Sequence, residues 1–87
     1  MVTVTDAATR HLAEILSNVD AAEEEAIRFV REGQKITPRF DRERPGDAVY
    51  DHEGNTVLLL GEDIVAEIGN KTLDVQDTDE GPRLVLN

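Results

Sequence analysis

Between Ala8 and Val19 the apolar residues recur three or four positions apart (Ala8, Leu12, Ile15, Leu16, Val19), and from Ala26 onward that spacing disappears. The rest of the chain is a series of short apolar runs, most of them closed by turns that contain glycine. This single change of period limits the fold more than any other feature, because a stripe laid out for a helix does not present one face as a strand. It calls for one amphipathic helix beside strands joined mainly by hairpins, which is an α+β domain.

Local signals place the elements. "VTV" at 2–4 reads as a short strand, and Thr5 is a good helix N-cap with Asp6 where the helix dipole favours a negative charge. The helix is expected over 6–19, with Asp6 and Arg10 paired on its outer face. "DAAEEE" at 20–25 is a charged connector. "AIRFVRE" then places Ile27 and Phe29 on one face of a strand and Arg28 on the other, and "ITPRFDR" at 36–42 resumes after a turn. Pro38 makes that second run an edge or irregular strand. "DAVYDH" at 47–52 and "TVLLL" at 56–60 flank the hairpin connection "EGN". A short helix over 62–68 stops at Gly69, and "KTLDVQD" and "PRLVLN" form a last strand pair around "TDEG". The expected core is Leu12, Ile15, Leu16, Ile27, Phe29, Val49, Leu58, Leu60, Ile64, Ile68, Leu73 and Leu84.

The 87 residues make a single domain, 1–87. A chain of this size buries only about 60% of its unfolded surface, so the core is thin. With three aromatic residues (Phe29, Phe40, Tyr50), it rests on Ile, Leu and Val. No apolar run approaches the roughly 18 residues of a membrane span. The opening "MVTVTDAATRH" has neither a basic n-region nor an apolar h-region, so a cytoplasmic protein is expected. Nineteen acids against nine bases give a formal charge of −10, which repels nucleic acid and anionic membranes alike. Two lysines against seven arginines are compatible either with adaptation to high intracellular salt or with a GC-rich genome.

Enzyme signals are nearly absent. With no cysteine, disulfides, thiolate nucleophiles and cysteine-held clusters are all excluded within this sequence. His11 and His52 are scattered imidazoles that fall short of a metal-ligand set. Ser17, the sole serine, has no base at helical spacing. Asp77, Asp79 and Glu80 are distantly like a calcium loop, but the EF-hand pattern breaks, and the stretch reads as a solvated turn. "EEE" at 23–25 reads as an exposed charge run. No phosphate-cradling glycine loop occurs. From these residues no catalytic, cofactor-binding or metal site is assigned, and no cofactor is expected.

Several stretches, in order, resemble the A-type iron–sulfur carriers, the HesB/IscA-like family. "VTVTDAATRHLAEIL" resembles the family's opening strand and Thr/Ser-Asp-Ala helix start, and "AIRFVRE" its Leu-Arg-Leu-type strand. "GDAVYDHEGNTVLLLGEDIVAEIGNKTLDV" is similar to its second half. The resemblance covers nearly the whole chain and implies a β-sandwich-type α+β domain of mainly antiparallel strands, with one N-terminal helix and one short helix. Family members carry one cysteine in a Gly-Cys-Ser-Gly loop and two in a terminal Cys-Gly-Cys segment. Here "REGQKITPRF" replaces the first loop without a cysteine, and the sequence stops at Asn87 before the second segment would begin. No binding residue carries over, and Gly33 with Gln34 and Lys35 reads as a tight hairpin turn rather than a cluster loop.

The expected function is therefore a non-catalytic, cysteine-free protein-binding or accessory module linked to iron–sulfur assembly, with an unidentified protein partner. The alternative is a carboxylate-based binder of a divalent cation or small cationic ligand. A homodimer is compatible with the thin core and an edge strand at 36–42. The charge predicts a salt response: self-repulsion weakens the folded state in dilute buffer, and screening relieves it. The melting temperature, followed by circular dichroism, is expected to rise as sodium chloride is added; a flat response would mean that the acids are already balanced locally.

Overall fold

Thr5 starts the first helix through its own side chain. Its hydroxyl accepts a hydrogen bond from the Ala8 N–H at 3.1 Å, satisfying one of the orphan donors of the first turn. The same hydroxyl donates to Asp74 Oδ1 at 2.8 Å, so the cap also joins the helix to a strand distant in sequence. The computed structural model describes residues 2–19 and 24–87. Most of the charged connector at 20–25 lies outside the described residues.

The helix, α1, spans Asp6–Asn18 and comes after β1 at Thr3–Val4. Ala8 and Leu12 are fully buried, and Ile15 and Leu16 pack half-buried against the core. Val19, placed on the same stripe by its spacing, is the C-cap and is 50% exposed, because the chain has left the helix there. Then come β2 (Ala26–Glu32), β3 (Lys35–Asp41), β4 (Ala48–His52), β5 (Asn55–Leu60), α2 (Glu62–Ile68), β6 (Thr72–Thr78) and β7 (Gly81–Leu86). Each lies within a residue or two of its expected bounds. Two sheets result, one ordered β3-β2-β5-β4 and the other β1-β6-β7. Pairing is antiparallel except for β1 with β6 and β2 with β5, and β3 is an edge strand, as Pro38 requires.

The core is built from α1, both sheets and α2: Leu12, Ile27, Phe29, Leu58, Leu60, Ile64, Ile68 and Leu73 are buried, with Leu84 packed against them. Val49 departs from the expected core and is 37% exposed. Along β4 it is Ala48 and Tyr50 that pack inward, and period-two alternation turns Val49 the other way. The Tyr50 hydroxyl donates to the Val2 carbonyl at 2.8 Å. In β5 the four consecutive residues Val57 to Leu60 are all buried, so both faces of that strand are covered.

Burial ranks two leucines of one helix. Leu12→Ala is expected to cost about 2–5 kcal/mol, because it empties a fully enclosed site. Leu16→Ala should cost less, since Leu16 already shares its surface with solvent. Urea unfolding of both variants checks the order, and equal losses would contradict it.

Candidate functional site

The segment after β2 is where the family resemblance implies a ligand loop, and its conformation is that of a hairpin turn. Glu32 and Lys35 close the ladder around Gly33 and Gln34. Gly33 has φ 65°, whereas Gln34 does not enter the positive-φ region. This is the type II′ pattern, whose twist suits adjoining strands and whose first central position favours glycine. Arg31 Nη1 donates to the Gly33 carbonyl at 3.1 Å, and Arg31 forms a bidentate ion pair with Glu67 of α2. Glu32 pairs with Arg39 across the hairpin. Gln34 and Lys35 are exposed. The turn is thus tied to the body of the protein through its arginine and presents no thiol or imidazole.

A second polar cluster lies at the other end of β2. Alternation sends Arg28 to the face opposite Ile27, as expected, yet Arg28 is only 7% exposed. Its Nε donates to Asp41 Oδ2 at 2.8 Å, Nη1 to Asp47 Oδ1 at 2.8 Å, and Nη2 to Asp47 Oδ2 at 2.5 Å and to the Arg42 carbonyl at 3.1 Å. The carboxylates are in turn capped by main chain: the Arg42 N–H donates to Asp41 at 2.8 Å and the Arg44 N–H to Asp47 at 2.7 Å. Arg44 also reaches Asp41, 2.8 Å away. The Arg28 hydrogen bond holds the Asp47 carboxyl below its ordinary range, and for Asp41 the Arg42 N–H does most, with Arg28 next. Asp47 in particular holds Arg28 in its charged form. Both oxygens of each carboxylate are engaged, so the cluster is a clamp on residues 41–47 rather than an open ligand site. Sequence spacing does not assemble this clamp. Its one visible signal is an arginine inside the otherwise apolar run "AIRFV".

Ser17 and His52, unrelated along the sequence, line one open groove of about 1230 Å³ between the end of α1, the segment 42–45 and the β4–β5 hairpin. Glu25, Arg42, Glu43 and Glu53 share the groove, so its charge is mixed. No described hydrogen bond joins Ser17 to His52, and the Glu53 carboxylate lies 3.9 Å from His52 Nε2. His11 is half-buried on α1. At the β6–β7 turn the Thr78 hydroxyl donates to the Gly81 carbonyl at 2.6 Å and accepts from the Glu80 N–H at 3.3 Å, while Asp77, Asp79 and Glu80 stay exposed. Among the described residues, no three or more His, Asp or Glu side chains come together in a way that could hold a metal ion.

No family model matches the sequence, and no curated protein matches it either. Solved structures do match it. The crystal structure of Escherichia coli SufA, involved in the biosynthesis of iron–sulfur clusters, superposes with a TM-score of 0.74 at 17% identity, over 99% of this chain and 83% of that one. IscA, solved with its 2Fe–2S cluster, superposes with a TM-score of 0.65 at 16% identity, over 100% of this chain and 84% of that one. The chain therefore has the HesB/IscA-like fold, an α+β architecture of mainly antiparallel strands.

The clamp sets an acid limb for stability. Asp41 and Asp47 have depressed folded-state pKa values, so their contribution is present above the unfolded carboxyl value, near pH 4, and is lost as pH falls through the folded values. Asp74 is depressed too, by the Val75 N–H and the Thr5 hydroxyl, and adds to the same limb. Arg28→Met leaves the Asp47 carboxylate buried without its cation and is expected to cost about 3–5 kcal/mol at neutral pH. It should also flatten the acid limb. Denaturant unfolding from pH 7 down to pH 3 reads both effects, and an unchanged acid limb would remove the clamp from the account.

Proposed function

We propose that this chain is a non-catalytic accessory module of iron–sulfur assembly, which acts through protein contacts and does not itself carry a cluster. One observation carries the reading. On the fold of iron–sulfur carriers, the place where the resemblance implies the first cysteine loop is a two-residue turn with Gly33 at φ 65°, and the sequence has no cysteine at all. Clusters are held by soft thiolates, and a glutamine amide or a lysine ammonium cannot replace them. The acids nearest the turn in sequence are already taken, Glu32 by Arg39 and Asp41 by Arg28 and Arg44. The proposed role is one without catalysis; Ser17 and His52 share a groove, and no described hydrogen bond joins them. No described helix is long and apolar enough to cross a membrane, and the proposed place of action is the cytoplasm.

The partner is a protein of the assembly process, with scaffold proteins and cysteine desulfurases the classes to examine. A cytosolic partner that presents arginine and lysine suits a chain of charge −10. Anaerobic incubation with iron and sulfide, then desalting and metal analysis, should leave the protein colourless and without stoichiometric iron. Titration against purified scaffold and desulfurase proteins should then give saturable binding that weakens with salt. Tightly held iron that disappears in Gln34→Ala or Lys35→Ala would overturn the reading and make the turn a ligand site.

A further inference from the structure

We propose that the cleft between β3 and β7 takes an extended segment of a protein partner, one whose apolar stretch is followed by lysine or arginine. The segment pairs antiparallel with β7. This contact rests on the role through protein association proposed above and gives that role a surface. The two sheets are joined on one side and open on the other. At the joined side the Tyr50 hydroxyl of β4 donates to the Val2 carbonyl just before β1, and α1 packs against β4, β5 and β6. On the other side β3 and β7 are the outer strands. There Phe29, Ile36, Pro38, Leu73, Leu84 and Leu86 line an apolar cleft of about 250 Å³. Leu86 is 36% exposed, and Phe40, on the same face of β3 as Ile36 and Pro38, is 48% exposed.

The form of the occupant follows from the main chain of β7. Thr72 and Asn87 exchange both main-chain hydrogen bonds, at 3.0 and 2.9 Å. Bonded and non-bonded pairs alternate along an antiparallel ladder, so Asp74–Val85 and Gln76–Arg83 are bonded in the same way. Pro82, Leu84 and Leu86 therefore aim their main-chain groups away from β6, where no described strand pairs with them. An antiparallel segment laid opposite them satisfies the two N–H donors of Leu84 and Leu86 and all three carbonyls. A helix over the cleft would cover those donors and offer them nothing. Segment residues that face Leu84 and Leu86 point into the cleft beside them, so they are apolar. On β3 the corresponding outward positions are Ile36, Pro38 and Phe40, and Pro38 withholds the central donor.

Charge sets the rest of its chemistry. Gly81–Leu86 contains no acid and one arginine, and the cleft lining has no acid. Beyond the Gly81 end stand Asp77, Asp79 and Glu80, all exposed, at the β6–β7 turn. An antiparallel segment finishes its apolar stretch beside Gly81, so its next residues lie against those acids. Lysine or arginine there complements them, and a chain of charge −10 steers such a segment in. A second copy brings the same acidic turn and a single arginine in its own β7, so it fits less well.

The probe is a synthetic peptide that alternates threonine and valine and ends in a run of lysines, titrated into the full chain. Amide exchange measured by NMR should show the Leu84 and Leu86 amides slowing as the peptide is added, while those of Ile36 and Phe40 stay fast. The same peptide ending in glutamates should have a Kd about tenfold higher or more in dilute buffer, and sodium chloride should narrow that gap. Asp79→Lys combined with Glu80→Lys, changes confined to an exposed turn, should narrow it too. No binding of the lysine peptide overturns the proposal, and so does equal affinity for both peptides. Leu84 and Leu86 amides that slow with protein concentration alone also overturn it, because the occupant is then a second copy. Scaffold and desulfurase proteins are titrated in parallel. If they bind and the peptide does not compete, this cleft falls and the role in assembly stands. If only the peptide binds, the role in assembly falls and the cleft stands.

Discussion

Strand β5 has to be covered on both faces, and much of the molecule is arranged to meet that need. Val57 to Leu60 are apolar without interruption, and all four are buried. A strand of this kind belongs inside a sheet, with β2 parallel on one side and β4 antiparallel on the other. Leu58 shares its face with Ile27, where Leu12 of α1 and the residues of the second sheet complete the core. Leu59 stands beside Arg28 on the other face and is equally enclosed. The segment that Arg28 holds there, through Asp41, Asp47 and the Arg42 carbonyl, is irregular backbone. A charged clamp thus ties this loop to Arg28, the in-register neighbour of Leu59.

That clamp reconciles a thin core with an acidic surface. In a chain of charge −10, carboxylates repel one another unless something holds them. Asp41 and Asp47 are held because a guanidinium with a planar fork of donors sits between them and main-chain N–H groups bind their remaining lone pairs. A buried charge is tolerated only when its hydrogen bonds are met, and here each guanidinium nitrogen donates. The same saturation explains why the cluster offers no chemistry: an incoming ion would have to displace a partner already in place.

Much of this fold was legible in the sequence because its signals are local. Thr5 caps its own helix, Gly33 supplies the positive φ that a type II′ turn requires, Gly69 stops α2, and Pro38 marks an edge. Each outcome depends on a residue and its close neighbours along the chain. Val49 belongs to the expected strand but has the opposite parity, because inward and outward on β4 are set by the Tyr50 hydroxyl reaching Val2 and by pairing with β5. Those contacts lie far away in sequence. Val19 continues the helical period but lies where the helix has ended.

By itself the sequence determined the element order, the hairpin at Gly33 and the absence of any thiol to hold a cluster, since propensity, turn chemistry and residue inventory need no knowledge of distant neighbours. Only the tertiary structure decided that Arg28 is buried between Asp41 and Asp47, that Ser17 and His52 line one groove, and that β7 is the outer strand of its sheet. These are pairings between segments remote along the chain. Their geometry comes from the way two sheets and a helix exclude water together, and no local pattern encodes it.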